Sequence, residues 1–219
     1  MAQSANSGPE PDIERAARLI ADCRYVVALI GAGLSVESGI PPFRGPGGLW
    51  TRYGEPDMRG FQRFLADPKA WWQKQLFEPE PYRVELNQAL ERARPNPGHH
   101  ALAELERLGV LKHIITQNVD NLHRMAGSRN VAEIHGNRTK LRCMGCGARF
   151  ERRSFPIEPQ RLPPECPECG GVVKGDGVMF GEPIPPDVLQ VCEEQALLCD
   201  CMLLVGTSGV VYPAAGFPI

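Results

Sequence analysis

Long apolar runs are missing from this chain. No stretch approaches the length of a membrane span, and the opening residues, MAQSANSGPEPD, lack the basic-then-apolar order of a secretory signal. No membrane partner is expected, and a cytoplasmic setting is. Net charge is nearly absent too: 24 Lys and Arg stand against 26 Asp and Glu, a balance of −2, so nothing points to direct nucleic-acid binding. There are no long internal repeats and no low-complexity tract. What remains is 219 residues, 42% hydrophobic and 23% charged. That composition is ordinary for a globular protein, and the length suits one large domain with a small appendage. Residues 1–11 read as a disordered lead-in.

Along the chain, short buried strands alternate with helical patterns. DIERAARLIAD (12–22) places Ile13, Ala16, Ala17 and Ile20 at helical spacing, with Asp12 available as a cap. YVVALI (25–30) reads as a buried strand, followed by a glycine- and proline-rich loop to Gly48. Residues 50–94 show no strand pattern; they carry aromatics, read as core packing, on several short helices. NPGHHALAELERL (96–108) is a helix with Asn96 as cap, Pro97 in its first turn and Leu102, Leu105 and Leu108 on one face; Gly109 ends it. VLKHIIT (110–116) and MLLV (202–205) are further buried strands. The alternation predicts an α/β fold with an open parallel sheet and crossover helices.

The eight cysteines divide into two close pairs and four scattered residues. Cys23, Cys199 and Cys201 flank or enter apolar runs and read as small hydrophobes. The pairs, CMGC and CPEC, give C-x2-C-x19-C-x2-C from Cys143, Cys146, Cys166 and Cys169. Two such knuckles complete a tetrahedral four-thiolate shell for one zinc ion. A closed shell leaves no open position, which makes the zinc structural. The spacing and a reducing compartment argue against disulfides or a redox C-x-x-C. The basic residues nearby (Arg138, Lys140, Arg142, Arg149, Arg152, Arg153) read as a solvated face.

Three loops follow the predicted strands: GAGLSVESGIPPFRG (31–45), TQNVDNLHRMAG (116–127) and GTSGVVYPAA (206–215). Ligands bind at that edge of an open parallel sheet. Gly31 and Gly33 would let backbone approach a pyrophosphate, with Ser35 as a hydroxyl donor. The third glycine of the G-x-G-x-x-G fingerprint is absent, Val36 standing in its place, and this argues against a hydride-transfer dehydrogenase. Gln117, Asn118, Asp120 and His123 lie close together, and His135 follows in EIHGN. A histidine there suits a general base near neutral pH, although on residues alone it reads first as a structural histidine.

The motifs GAGLSVESGIPPFRG, PNPGHHAL, TQNVDNLHRMAG, EIHGN, the four-cysteine module, VMFGE and GTSGVVYPAA occur in one order from about Asp12 onward. In that order the chain resembles the sirtuin family of NAD-dependent protein deacylases. The resemblance implies a Rossmann-like open parallel sheet (12–49, 95–137 and 174–219) with an inserted small module (50–94 and 138–173) that combines a helical segment with a zinc ribbon. It implies NAD, consumed as co-substrate, one structural zinc, and an acyl-lysine protein or peptide as partner. Gly31, Ala32, Gly33 and Ser35 would hold the diphosphate, and Gly206, Thr207 and Ser208 the phosphate and ribose region. Ile40, Asn118 and Asp120 would line the nicotinamide pocket. Phe43 would shield the reacting ribose carbon, Arg44 would lie beside NAD, and Gln117 would bond ribose. His135 would be the base. Val178, Phe180, Gly181 and Glu182 would form a strand-like rim that pairs with substrate backbone.

The resemblance has departures. Pro42 stands where the family has an aspartate, Gly175 and Gly177 where it has Pro and Val, and Gly209 where it has Leu or Ser. Members that remove acidic acyl groups carry a Tyr-x-x-Arg pair. Here the two placements give Trp72 with Gln75 or Tyr82 with Glu85, and neither offers an arginine, so acetyl or a longer neutral acyl group is expected over succinyl. The sequence stops at Ile219, where family members continue into a further strand and helix, so the C-terminal end of the usual fold is expected to be missing. Two other readings share these motifs: mono-ADP-ribosyl transfer to protein, and a catalytically silent zinc-containing binding module.

Overall fold

A computed structural model describes residues 11–218. Apart from Pro11, the lead-in expected over 1–11 lies outside the described residues. The first element, α1 (Asp12–Asp22), lies where its periodicity placed it, but Asp12 does not cap it. Pro11 occupies the cap position and no side chain bonds the exposed amides. Asp12 sits in the first turn, where its charge still favours the helix N-terminus. Only Ile20 of its apolar residues reaches the core, while Ile13 stays exposed.

The main sheet has four parallel strands in the order β3-β2-β1-β7. They are β1 (Val26–Ile30), β2 (Leu111–Thr116), β3 (Val131–Glu133) and β7 (Cys201–Val205). Every residue of β1 is at most 1% exposed, as a strand paired on both edges and covered on both faces must be. Its side chains alternate. Val27 and Leu29 pack with Val188 and Cys192 of α8 (Pro186–Leu198); Val26, Ala28 and Ile30 pack with Leu102 of α6 (Pro97–Arg107). Each fully buried valine, leucine or isoleucine among them contributes roughly 1.5–3 kcal/mol of transfer free energy.

α6 begins as its sequence indicates. The Asn96 side chain accepts from the amides of Gly98 and His99, at 3.0 and 3.3 Å, and the His99 ring nitrogen Nδ1 accepts in turn from the Asn96 amide. Leu102 is buried, but Leu108 is exposed beyond the helix end, and Gly109 turns the chain with φ +73°.

Residues 49–92 form four short helices, α2 (Leu49–Tyr53), α3 (Gly60–Ala66), α4 (Pro68–Phe77) and α5 (Pro81–Arg92). A second, antiparallel sheet follows in the order β5-β4-β6, from β4 (Lys140–Cys143), β5 (Arg149–Glu151) and β6 (Val173–Gly175). It runs two residues past the boundary expected at 173, because Lys174 and Gly175 pair with Arg142 and Leu141. Trp72 joins the helices to this sheet. It is fully buried and its Nε1–H donates to the Val173 carbonyl at 2.9 Å, so neither it nor its ring is free to meet an acyl chain.

Candidate active site and metal centre

The loops after β1, β2 and β7 meet at the carboxyl edge of the sheet, over a cleft of about 1750 Å³. The first and third are locked together through backbone. The Gly31 amide donates to the Val205 carbonyl at 2.9 Å and the Gly33 amide to the Gly206 carbonyl at 2.8 Å. A Cβ at Gly33 would lie 2.7 Å from the Gly206 Cα, and one at Gly206, whose φ is +64°, would lie 2.2 Å from the Leu34 nitrogen. These glycines are therefore required for loop-on-loop contact, apart from any phosphate. Residues 32–38 form a 3-10 turn closed by Gly39 at φ +85°.

The second loop fastens to both. Gln117 Nε2 donates to Thr207 Oγ1 at 2.9 Å, and Asn118 Nδ2 donates to the Gly31 carbonyl at 3.0 Å and to Ser35 Oγ at 3.1 Å. Ser35 Oγ in turn donates to Asp120 Oδ2 at 2.7 Å, and Asp120 Oδ1 accepts from the Leu122 amide. Ser35 is 1% exposed and its hydroxyl is committed to Asp120, so it braces the loop from behind and does not line the cleft. Ile40 is buried against Leu90, Ala93 and Leu122. Ala32, Phe43, Arg44 and Ser208 line the cleft. Phe43 packs on Trp50 at 5.0 Å, Trp50 on Phe180 at 5.6 Å, and the Arg44 guanidinium lies 4.4 Å above the Trp50 ring. Pro42 keeps a backbone role: its carbonyl accepts from the Leu49 amide at 2.9 Å and ties the loop to the start of α2.

His135 follows β3 and faces the cleft. Its Nδ1 lies 3.2 Å from the Gln117 carbonyl. A carbonyl only accepts, so Nδ1 carries the hydrogen and Nε2 is left with its lone pair. Burial lowers the pKa of the ring, and the Gln117 bond opposes this. The imidazole is therefore neutral, as a base must be, at physiological pH.

The 178–182 segment lies beside His135, and the Val178 amide donates to the His135 carbonyl at 2.9 Å. The Phe180 carbonyl accepts from Phe61 of α3 at 3.1 Å, and Gly181 turns with φ +79°. The Glu182 side chain points away from the cleft into a buried ion cluster. It meets Arg142, lies 3.1 Å from Lys174 Nζ, and accepts from the Met179 amide at 2.8 Å. Asp176 joins the same cluster through Arg149 at 3.0 Å and the Asn137 amide at 2.8 Å. Arg142 had been read as part of a solvated face; it is 6% exposed and Lys174 is 0% exposed. The partners that make this burial tolerable lie up to 40 residues away in sequence, which local charge patterning cannot reveal.

Two further features are not legible in the sequence. His123, read as a loop residue near the site, is buried beside His99 with ring centroids 5.1 Å apart. Burial, with His99 adding to it, pushes its pKa down to about 4. Arg83 also stands in the cleft wall, donating to Gln75 at 2.6 Å and to the Tyr82 hydroxyl at 3.1 Å. An arginine therefore does face the region where the sequence offered none.

The sulfur atoms of Cys143, Cys146, Cys166 and Cys169 all lie within 4.8 Å of one another. Cys143 and Cys169 are 3.4 Å apart, and Cys146 and Cys166 are 3.8 Å apart. Thiolates about 2.3 Å from a tetrahedral zinc are separated by roughly 3.8 Å, so the donor set fits one ion. The amides of Gly145 and Gly171 point at Cys143 and Cys169 Sγ, at 3.3 and 3.4 Å, and would share the charge of such a shell.

A nucleotide-type loop assembly at the edge of a parallel sheet, a neutral histidine beside it and a four-thiolate shell on an inserted module together define a zinc-stabilised, NAD-binding α/β protein. A model of the Sir2 family matches residues 31–213. The chain is 46% identical over 202 residues to NAD-dependent protein deacylase 2 of Pyrobaculum aerophilum, covering 92% of this chain and 77% of that one. Among solved structures, a Sir2 homologue mutant bound to ADP-ribose superposes with a TM-score of 0.76 at 44% identity, covering 94% of this chain and 78% of that one. A Sir2 homologue–NAD complex gives 0.73, also at 44% identity, covering 98% and 79%. The chain belongs to the Sir2 family. Among the described residues no helix is long and apolar enough to cross a membrane.

Proposed function

We propose that this protein is an NAD-dependent protein-lysine deacylase whose base is His135. The observation that carries the reading is the free Nε2 of a neutral His135, held by the Gln117 carbonyl on the floor of the cleft that the Gly31 and Gly206 loops border. When bound, NAD would supply an electrophilic ribose carbon and a 2′-hydroxyl; with one acyl-lysine and one water the products would be nicotinamide, O-acyl-ADP-ribose and the free lysine amine. The amides of Gly31 and Gly33 are taken by Val205 and Gly206, so Ala32, Thr207 and Ser208, which line the cleft, would meet the phosphates and ribose of NAD, and Gln117 would bond the ribose. Asn118 and Asp120, fixed by Ser35, together with Ile40, form the nicotinamide pocket. Phe43 covers the reacting carbon and excludes water while the acyl oxygen attacks, and Arg44 lies alongside. His135 Nε2 then takes a proton from the ribose hydroxyl that adds to the acyl carbon. The substrate backbone runs along Val178, Phe180, Gly181 and the backbone of Glu182.

The substrate is an acyl-lysine in a protein or peptide. The expectation of a neutral acyl group rests on the lack of an arginine in either Tyr-x-x-Arg placement; Arg83, in the cleft wall beside Gln75, adds a guanidinium from outside that motif. A four-thiolate centre fits a reducing, cytoplasm-like compartment. The test is product analysis by mass spectrometry from NAD and acetyl-lysine peptide. The parent chain should release O-acetyl-ADP-ribose, and His135→Tyr should slow it by roughly 10²–10⁴-fold. ADP-ribose left on protein would favour the transferase reading. No turnover in the parent chain, unchanged by the substitution, would leave only a binding module.

A further inference from the structure

Most charges that line the cleft have a partner of opposite sign, and Arg83, which has no ion pair, is bonded to Gln75 and the Tyr82 hydroxyl. Arg44 pairs with Glu55 at 3.4 Å, Arg63 with Asp57 at 2.6 Å, and Lys140 with Glu151. Lys74 pairs with Glu80, and the carboxylates of Asp176 and Glu182 are turned into the buried cluster. Two guanidiniums in the wall are different. Among the described residues, neither Arg138 nor Arg152 has a carboxylate within ion-pairing distance or a hydrogen-bond acceptor for its side chain.

Arg138 stands three residues beyond His135, half-buried, on a turn whose amide donates to the Val119 carbonyl at 2.9 Å. Its nearest acids, Glu91 and Asp120, act on it only through space, and the oxygens of Asp120 already accept from Ser35 and Leu122. Arg152 follows β5, its amide donating to the Thr139 carbonyl at 2.8 Å. Its Nη1 reaches over Gly175, where an added Cβ would lie 3.5 Å away. The surrounding wall desolvates both groups and weakens their hold on the proton, and the charge of Arg138 adds to the effect at Arg152. Arg138 is half-buried and Arg152 exposed; two like charges within electrostatic reach of one another, neither of them paired, make a place that an anion would complete. Guanidinium forks suit a carboxylate.

The position selects which ligand brings that anion. Phosphate-holding backbone lies at the Gly31 and Gly206 loops, whereas this pair flanks residues 175–177, which lead directly into Val178 and the His135 contact. We infer that Arg138 and Arg152 form an anion subsite that takes a carboxylate carried by the acyl-lysine substrate, either at the end of an acidic acyl chain or on an acidic residue beside the lysine. The inference rests on the deacylase reading and adds a specificity to it.

The experiment compares three peptides: acetyl-lysine with neutral flanks, acetyl-lysine with flanking glutamates, and succinyl-lysine with neutral flanks. The quantity read is kcat/KM for each acidic peptide divided by that for the neutral one. In the parent chain one of the two ratios should reach about 10 or more, the value expected for a charge-assisted pair, and which ratio it is identifies the source of the carboxylate. Arg138→Gln with Arg152→Gln should bring that ratio to near one, and the corresponding lysines should restore part of it. Arg152→Glu, at an exposed position, should push it below one without disturbing the fold. Ratios of about one in the parent chain, or a preference that survives the double glutamine variant, overturn the subsite. Failure of the deacylase reading looks different, since no peptide then supports nicotinamide release. In that case equilibrium binding of the same fluorescently labelled peptides reads the same ratios without turnover, and equal affinities overturn the subsite there too.

Discussion

The two sheets of this protein are held together by opposite means. The centre of the parallel sheet is apolar: β1 is VVALI with every side chain at most 1% exposed, flanked on both faces by aliphatic clusters. The three-stranded sheet is thin and buries charge and sulfur. Arg142 and Lys174 lie within it, opposite Asp176 and Glu182, and its other end is the four-cysteine cluster. Apolar burial is distributed over many contacts, and the loss of any one is small against the sum. Charges and metal ligands concentrate stability in a few atoms, so removing a single partner strands the others. The small sheet is therefore the fragile half, and it carries the segment that leads from β6 to Val178.

Metal removal should separate the halves most sharply. Structural zinc binding is worth about 10–16 kcal/mol in small zinc modules. Chelation, or Cys166→Ser, should therefore abolish peptide turnover and expose the 140–175 region to protease, while hydrogen-exchange protection of β1 and β2 persists. Loss of protection in both sheets at once would show that they are one cooperative unit. The next effect in size belongs to the ion cluster. Lys174→Met removes one member of a buried set and should cost about 3–5 kcal/mol in urea unfolding. Because Glu182 also holds the Met179 amide, KM for acyl peptide should rise more than KM for NAD. An equal rise in both would mean that the cluster supports the whole molecule and not the peptide side.

The smallest expected effect tests the polar weak point on the side of the parallel sheet. His123 sits behind Asp120 with its folded-state pKa lowered from 6.5 to about 4. A depressed histidine is buried neutral, so its contribution is present above the unfolded pKa and is lost as pH falls from about 6.5 toward 4. In that window the unfolded chain binds a proton that the folded chain refuses. The loss by pH 4 should be up to roughly 3 kcal/mol. His123→Leu should flatten that part of the stability–pH profile, and an unchanged slope would assign it to another group.

The same contrast decides what could be read from sequence. Apolar strands announce themselves, and β1, β2 and β7 fell within a residue of the runs that marked them. β3 did not, because VAE is too short and too mixed for a period to show; it becomes a strand only because Ile114 to Thr116 offer it an edge. The cysteine spacing was legible because two knuckles impose it. The ion cluster was not, since Arg142 and Lys174 look like surface residues until distant carboxylates are folded against them. Arg83 is illegible for a related reason: only in the fold does its side chain, on α5, reach back to Gln75 on α4.

The interlocked glycine loops also set an order of events during synthesis. Gly31 and Gly33 leave the ribosome early, yet the carbonyls that receive their amides belong to Val205 and Gly206. The nascent chain must therefore translate about 170 further residues before the first loop has its acceptors, which at ~5–20 residues per second is a delay on the order of ten seconds or more. Through that interval the small sheet, local in sequence, is free to collect its metal, while the nucleotide loop waits open. All four cysteines of the zinc site are thus synthesised before the carbonyls that complete the nucleotide loop.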